Sequence, residues 1–181
     1  MQSAYKTLDL VYIAVAAAII AACSWISIPT TIPFTLQTFA VFFVLSFFGG
    51  KRGTAAIVVY LILGLIGVPV FSNFTGGIGA ILGATGGYII GFIFIGLIYW
   101  LAISIWGKKL WVEIVSLIIG IIVLYTFGTV WYIKVYAAKT GAIGLLTALT
   151  WCVFPFILPD LLKLGLALLL ARRITAIQKK I

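Results

Sequence analysis

Charges are so sparse in this chain that they divide it into long apolar runs. Residues 10–50, 53–107, 114–133 and 140–159 contain no Asp, Glu, Lys or Arg. A helix needs about 20 apolar residues to cross the hydrocarbon core of a bilayer, so the first two runs are too long for one crossing each. Pro29 and Pro33 break the first run, because proline lacks the N–H and clashes with the preceding turn. The pattern therefore predicts a first helix over 8–28 and a short second one over 36–48. Lys51-Arg52 turns the chain into a third helix over 54–67. Pro69 and the polar segment Phe71-Ser72-Asn73-Phe74-Thr75-Gly76-Gly77 interrupt the second run. A fourth helix then reaches Trp106, a fifth spans 111–133, and a sixth ends at Ala171. The expectation is an all-α integral membrane protein: one domain over 1–181, a compact bundle of six transmembrane helices.

Composition supports this. The 181 residues are 65% hydrophobic and 8% charged, with a mean hydropathy of +1.33, whereas soluble domains are about a quarter charged. Lys and Arg placement sets the orientation. With six helices both termini share a side, and on it fall Lys6, Lys51, Arg52, Lys108, Lys109, Arg172, Arg173, Lys179 and Lys180. The opposite loops hold only Lys134 and Lys139, and Lys163 lies inside a span. Both termini are thus expected in the cytoplasm, and the +9 net charge reflects topology rather than a nucleic-acid surface. Tryptophans at the expected helix ends (Trp25, Trp131 and Trp151 outside, Trp106 and Trp111 inside) fit an interfacial belt.

Several chemistries are excluded. There is no histidine, so His-based metal sites and His-activated nucleophiles cannot form. Gly50-Lys51-Arg52-Gly53 is not a phosphate-binding loop, so an energy source must lie in an ion gradient or another protein. Cys23 and Cys152 sit in apolar segments and read as buried thiols.

Two charges remain inside a span. If the last helix leaves the membrane at Arg172, Lys163 lies about 13 Å and Asp160 about 18 Å along it, at 1.5 Å per residue. Charges at that depth must face protein or a water-filled cavity. The i, i+3 spacing places both on one helix face. They form either a structural ion pair or a ligand site offering one acceptor and one donor. Pro155 and Pro159 suggest a broken or late-starting helix there, which is tolerated where it lines a cavity. Two outer loops, 32–39 and 71–77, mix aromatic rings with amides and hydroxyls, and read either as exposed turns or as lids over that floor. Glycines 79, 83, 87 and 91 make a ridge for close helix packing. Asp9 and Glu113 fall at helix ends within reach of Lys6 and Lys108. Ala14, Ala18 and Ala22 form a small-residue stripe that packs within the chain or, facing outward, docks a partner membrane protein.

Pro33-Phe34-Thr35-Leu36-Gln37-Thr38-Phe39, Gly67-Val68-Pro69-Val70-Phe71, Gly83-Ala84-Thr85-Gly86-Gly87-Tyr88 and Pro155-Phe156-Ile157-Leu158-Pro159-Asp160-Leu161-Leu162-Lys163 together resemble the BioY family, the biotin-specific S components of energy-coupling factor (ECF) transporters. The likeness covers essentially the whole chain. It implies a bacterial plasma-membrane protein, not an enzyme, that captures biotin outside and delivers it inward with a transmembrane coupling protein and two ABC ATPases. ATP is used by those subunits, and this chain needs no cofactor. The resemblance carries biotin binding onto Asp160 and Lys163, with Gln37, Thr35 and Asn73 completing the polar contacts and Phe34, Phe71 and Tyr88 packing the rings. Lys163 would meet either the ureido carbonyl or the valerate carboxylate. Ala14, Ala18 and Ala22 match the stripe that contacts the coupling protein. Competing expectations are an S component for another vitamin, a self-sufficient secondary transporter or channel, and a membrane enzyme. The last would need catalytic groups that the chain lacks.

Overall fold

The computed structural model describes residues 2–28 and 33–178; Pro29, Ile32, Lys179 and Lys180 lie outside them. The described chain is almost entirely helical. Helix α1 spans Gln2–Trp25, α2 Gln37–Phe48, α3 Gly50–Leu65, α4 Ile78–Ile81, α5 Gly86–Trp106, α6 Leu110–Thr140, α7 Leu145–Cys152 and α8 Phe154–Gln178. Among the described residues four stretches are long and apolar enough to cross a membrane: Thr7–Trp25, Gly86–Trp106, Leu110–Ala138 and Leu145–Gln178. Helices α2 and α3, of 12 and 16 residues, are shorter.

Helix α2 is apolar on every side after Gln37-Thr38 except at Ser46, so burial on all faces is its stable environment. Accordingly Ala40 to Ser46 are buried, against α8 on one side and α1 and α3 on the other. Helices α5 and α6 pack along one another because Gly91 admits Leu124 and Gly87 admits the Trp131 side chain. Gly79 has open space around it, so the glycine ridge works only in its second half. At Gly64 an added Cβ would lie 2.0 Å from Phe71. The missing side chain is what lets that ring enter the core.

Element boundaries shift from expectation for identifiable reasons. Helix α1 stops at Trp25 because Ser27–Ile28 (β1) pairs antiparallel with Phe34–Thr35 (β2), Ser27 opposite Thr35. Helix α3 starts at Gly50, so Lys51 and Arg52 occupy its first turn rather than a preceding loop. Helix α6 runs on to Thr140, which places Lys134 and Lys139 in its last turns. The last span is broken at Val153 (φ −125°, ψ −58°). Pro155 then falls in the first turn of α8, where a missing N–H costs little, and Pro159 lies inside it. Helix α8 continues past Ala171 to Gln178.

Two acids find partners on distant helices, and the side chain of Lys6 lies outside what the structure describes. Glu113 is fully buried. It accepts hydrogen bonds from Ser46 Oγ at 2.9 Å, Tyr99 OH at 2.6 Å and Arg172 Nη2 at 2.6 Å, which ties α6 to α2, α5 and α8. Lys108 donates to the Ser46 carbonyl. Asp9 pairs with Arg52 across α1 and α3, and the guanidinium lies 5.0 Å from the Tyr12 ring centre.

Candidate ligand site

The first turns of α8 bring Asp160 and Lys163 to the start of α2. Lys163 Nζ donates to Asp160 Oδ1 at 2.9 Å and to Thr38 Oγ1 at 3.1 Å, and it lies 4.3 Å from the centre of the Phe34 ring. Thr38 Oγ1 in turn donates to Asp160 Oδ1 at 2.8 Å. The other carboxylate oxygen accepts from Tyr125 OH of α6 at 2.7 Å. Asp160 and Lys163 are 2% and 7% exposed. So deeply placed a pair survives only with its remaining valences filled, and Thr38, Tyr125 and the Phe34 face fill them.

Asp160, Lys163, Thr38 and Tyr125 line a cavity with about 580 Å³ of atom-free space, its open mouth included. Gln37, Phe92, Leu124, Cys152 and Ile89 form its buried wall, and Thr35, Ser72, Thr85 and Pro33 its partly exposed rim. Tyr88 and Phe156 close the sides. Each wall is held from behind. Gln37 donates its amide N–H to Tyr60 OH at 2.7 Å, and its backbone N–H bonds Thr35 Oγ1 at 3.2 Å. Tyr88 OH meets Thr129 Oγ1 at 3.0 Å, and its ring lies over Gly128, where a Cβ would come within 2.3 Å. Phe34 stacks on Phe156 with ring centres 5.9 Å apart. Apolar walls with a few converging polar groups are the general form of a small-molecule site. Here one end accepts and donates hydrogen bonds through a net-neutral pair, and the rest offers aromatic and aliphatic surface.

Of the residues singled out from the sequence, Asp160, Lys163, Gln37, Thr35 and Tyr88 line this one cavity, and Phe34 joins them through Lys163 and Phe156. Two are placed elsewhere. Phe71 is 1% exposed and packs edge-on against Tyr60, with centres 5.5 Å apart. Asn73 is exposed in a left-handed backbone conformation (φ 55°) and accepts from Ser27 Oγ at 3.0 Å, which ties the 71–75 loop to the β1–β2 ribbon. Thr38 and Tyr125, which both hold Asp160, are not among the residues that the sequence singles out. Thr38 is part of the motif that carries the resemblance. Tyr125 stands beside Thr126 and near Thr129, a cluster of hydroxyls in mid-span that could have marked the face. On α1, Ala16, Ala17, Ile20 and Ala21 are buried, whereas Ala14, Ala18 and Ala22 are exposed.

Comparison with known proteins agrees with this architecture. The "Biotin transporter BioY" of Thermotoga maritima is 35% identical over 162 residues, covering 89% of this chain and 92% of that protein. The "Biotin transporter BioY2" of Lactococcus lactis subsp. cremoris is 38% identical over 170 residues, covering 92% of each. The fold superimposes on a crystal structure of "the S-component for biotin from an ECF-type ABC transporter" with a TM-score of 0.83 at 28% identity, covering 97% of this chain and 95% of that one. Such relatives, with the apolar spans, make this a multi-pass membrane protein. The profile of the BioY family matches residues 1–180, and the chain belongs to that family.

Proposed function

We propose that the chain is the biotin-binding S component of an ECF-type importer in a bacterial plasma membrane. The observation that carries the reading is the buried Asp160–Lys163–Thr38–Tyr125 cluster facing a cavity in a BioY-family chain. Biotin joins a ureido ring, with two N–H donors and one carbonyl, to an apolar thioether ring and a valerate tail. Asp160 accepts from a ureido N–H and Lys163 donates to the carbonyl oxygen, while Gln37 and the Thr35 and Thr38 hydroxyls supply the remaining polar contacts. Tyr88, Phe92, Phe34 and Phe156 pack the bicycle. A site built to hydrogen-bond the ureido function rejects ligands that lack it. Phe71 and Asn73 act behind this surface, Phe71 as core packing and Asn73 as a tie between the two outer loops.

Helices α2 and α3 complete six spans with the four longer stretches. Both termini face the cytoplasm and the cavity faces outside. The exposed Ala14, Ala18 and Ala22 dock the transmembrane coupling protein, through which two ABC ATPases supply the energy. The chain itself needs no cofactor and catalyses no reaction.

The test is uptake into proteoliposomes. Vesicles holding the chain with its coupling protein and ATPases should accumulate biotin when ATP is enclosed, and vesicles holding the chain alone should not. Ion-gradient-driven accumulation by the chain alone would overturn the reading in favour of a self-sufficient transporter. The same site predicts that Gly128→Ala displaces the Tyr88 ring and weakens biotin binding about tenfold, the scale of one overpacked core position. Unchanged affinity by titration would remove the Tyr88 wall from the site.

A further inference from the structure

The three acidic side chains of this chain are all taken. Asp9 pairs with Arg52, Glu113 with Arg172 and Asp160 with Lys163. The turn from α5 to α6, Gly107-Lys108-Lys109, holds a cation outside these pairs. Lys109 is exposed, and its ammonium has no partner among the described residues. Its counter-charge must come from outside the chain.

Beside this turn an apolar groove runs between α5 and α6, separate from the ligand cavity. Helix α5 contributes Ile98, Ala102 and Trp106, and α6 contributes Trp111, Val115 and Ile119, around about 840 Å³ of atom-free space with its open side included. Ser116 also lines it, but its hydroxyl donates to the Glu113 carbonyl at 3.1 Å. From either tryptophan to the far end of the groove is about 12 Å along the helix, at 1.5 Å per residue. That is most of one leaflet's half of the roughly 30 Å hydrocarbon core, a depth that suits an acyl chain.

The tryptophans distinguish this groove from the rest of the surface. Trp25 and Trp131 donate their indole N–H to the carbonyls of Pro69 and Gly83. Trp106 and Trp111, both exposed, donate to nothing among the described residues. Indoles at this level sit among lipid headgroups, where phosphate and ester oxygens accept hydrogen bonds. Lys51, by contrast, borders a groove that already holds the Asp9–Arg52 pair. The alanine stripe lies on α1, which packs on α2 and α3, so a partner docked there leaves the α5–α6 groove to lipid.

We propose that the α5–α6 groove binds one anionic phospholipid of the cytoplasmic leaflet, an acyl chain lying between the helices and the phosphate meeting Lys109 and the Trp106 and Trp111 indoles. Basic pockets between membrane helices on the cytoplasmic side select anionic headgroups. The choice of leaflet follows from the orientation proposed above, whereas the binding depends neither on that orientation nor on biotin.

The experiment is native mass spectrometry of the delipidated, full-length chain in detergent, titrated with dioleoyl phosphatidylglycerol or dioleoyl phosphatidylcholine. One phosphatidylglycerol should be retained per chain, about fivefold more tightly than phosphatidylcholine, the scale of one ammonium beside an anionic headgroup. Lys109→Gln should erase that preference. Val115→Trp, which fills the groove from an exposed position on α6, should abolish retention of both lipids. Unchanged thermal melts show that both variants fold. Retention of the two lipids within twofold of each other would overturn the proposal and leave only nonspecific bilayer contact. So would a preference that survives either substitution, which would place the lipid elsewhere. Displacement by glycerol phosphate, which has no acyl chains, would make the ligand a free phosphate. A dimer lost in Val115→Trp would assign the groove to a second copy of the chain instead.

Discussion

Replacing Lys163 with alanine is expected to weaken biotin binding by at least a hundredfold. The ammonium is nearly excluded from solvent and has three neighbours, Asp160, Thr38 and the Phe34 ring. Its removal takes a charged donor from the ligand and leaves the Asp160 carboxylate buried with two hydroxyl donors alone. Breaking a buried pair by deleting one partner costs about 3–5 kcal/mol. At about 1.4 kcal/mol per tenfold, a loss of two orders of magnitude needs only the lower end of that range to fall on the complex. Lys163→Met, which keeps the stem and its packing, should lose affinity to a similar extent, since the charge and not the volume carries the effect. Calorimetric titration of each variant checks this. An affinity within about twofold of the parent, under about 0.4 kcal/mol, would mean that biotin binds elsewhere.

The second large effect should appear in transport with no change in binding. Ala18 faces away from the core while Ala16, Ala17, Ile20 and Ala21 face into it, so Ala18→Trp adds a ring to the outer surface of α1 without disturbing the bundle. Small residues let two membrane helices approach closely, and an indole in the middle of the stripe holds them apart. ATP-driven biotin uptake in the reconstituted complex should fall at least tenfold. The biotin dissociation constant of the isolated chain should stay within twofold. Undiminished uptake would place the coupling contact on another face. A parallel loss of binding would show that the stripe supports the bundle rather than a partner.

The helical, apolar architecture was legible because lipid imposes one rule on every position, so charge-free length and proline placement carry most of the information. Asp160 and Lys163 stood out for the same reason: their cost in hydrocarbon demands a purpose. What was hidden depended on contacts between residues far apart in the chain. Glu113 has Lys108 close in sequence, yet Arg172 reaches it from α8 together with Ser46 and Tyr99. The first helix is expected to run on to residue 28, and the partner strand Phe34–Thr35 explains why α1 ends at Trp25 instead. Prolines 155 and 159 announced a break correctly in kind, but the chain breaks before them, at Val153, because a proline is tolerated just inside a new helix. The loop residues Asn73 and Phe71 had suitable chemistry, but a left-handed turn carries Asn73 to Ser27 and the notch at Gly64 draws Phe71 into the core. Tyr125, in an apolar run, offered only its hydroxyl as a signal. Residue type was readable in each of these cases, and direction was not.

The central claim is that one buried ion pair in one cavity binds biotin, and titration of the purified, ligand-stripped chain tests it most directly. Biotin should bind saturably and tightly at one site per chain, with thiamine and riboflavin giving no competing signal. A folded, stripped sample that fails to bind biotin would reduce Asp160 and Lys163 to a structural pair and contradict the account.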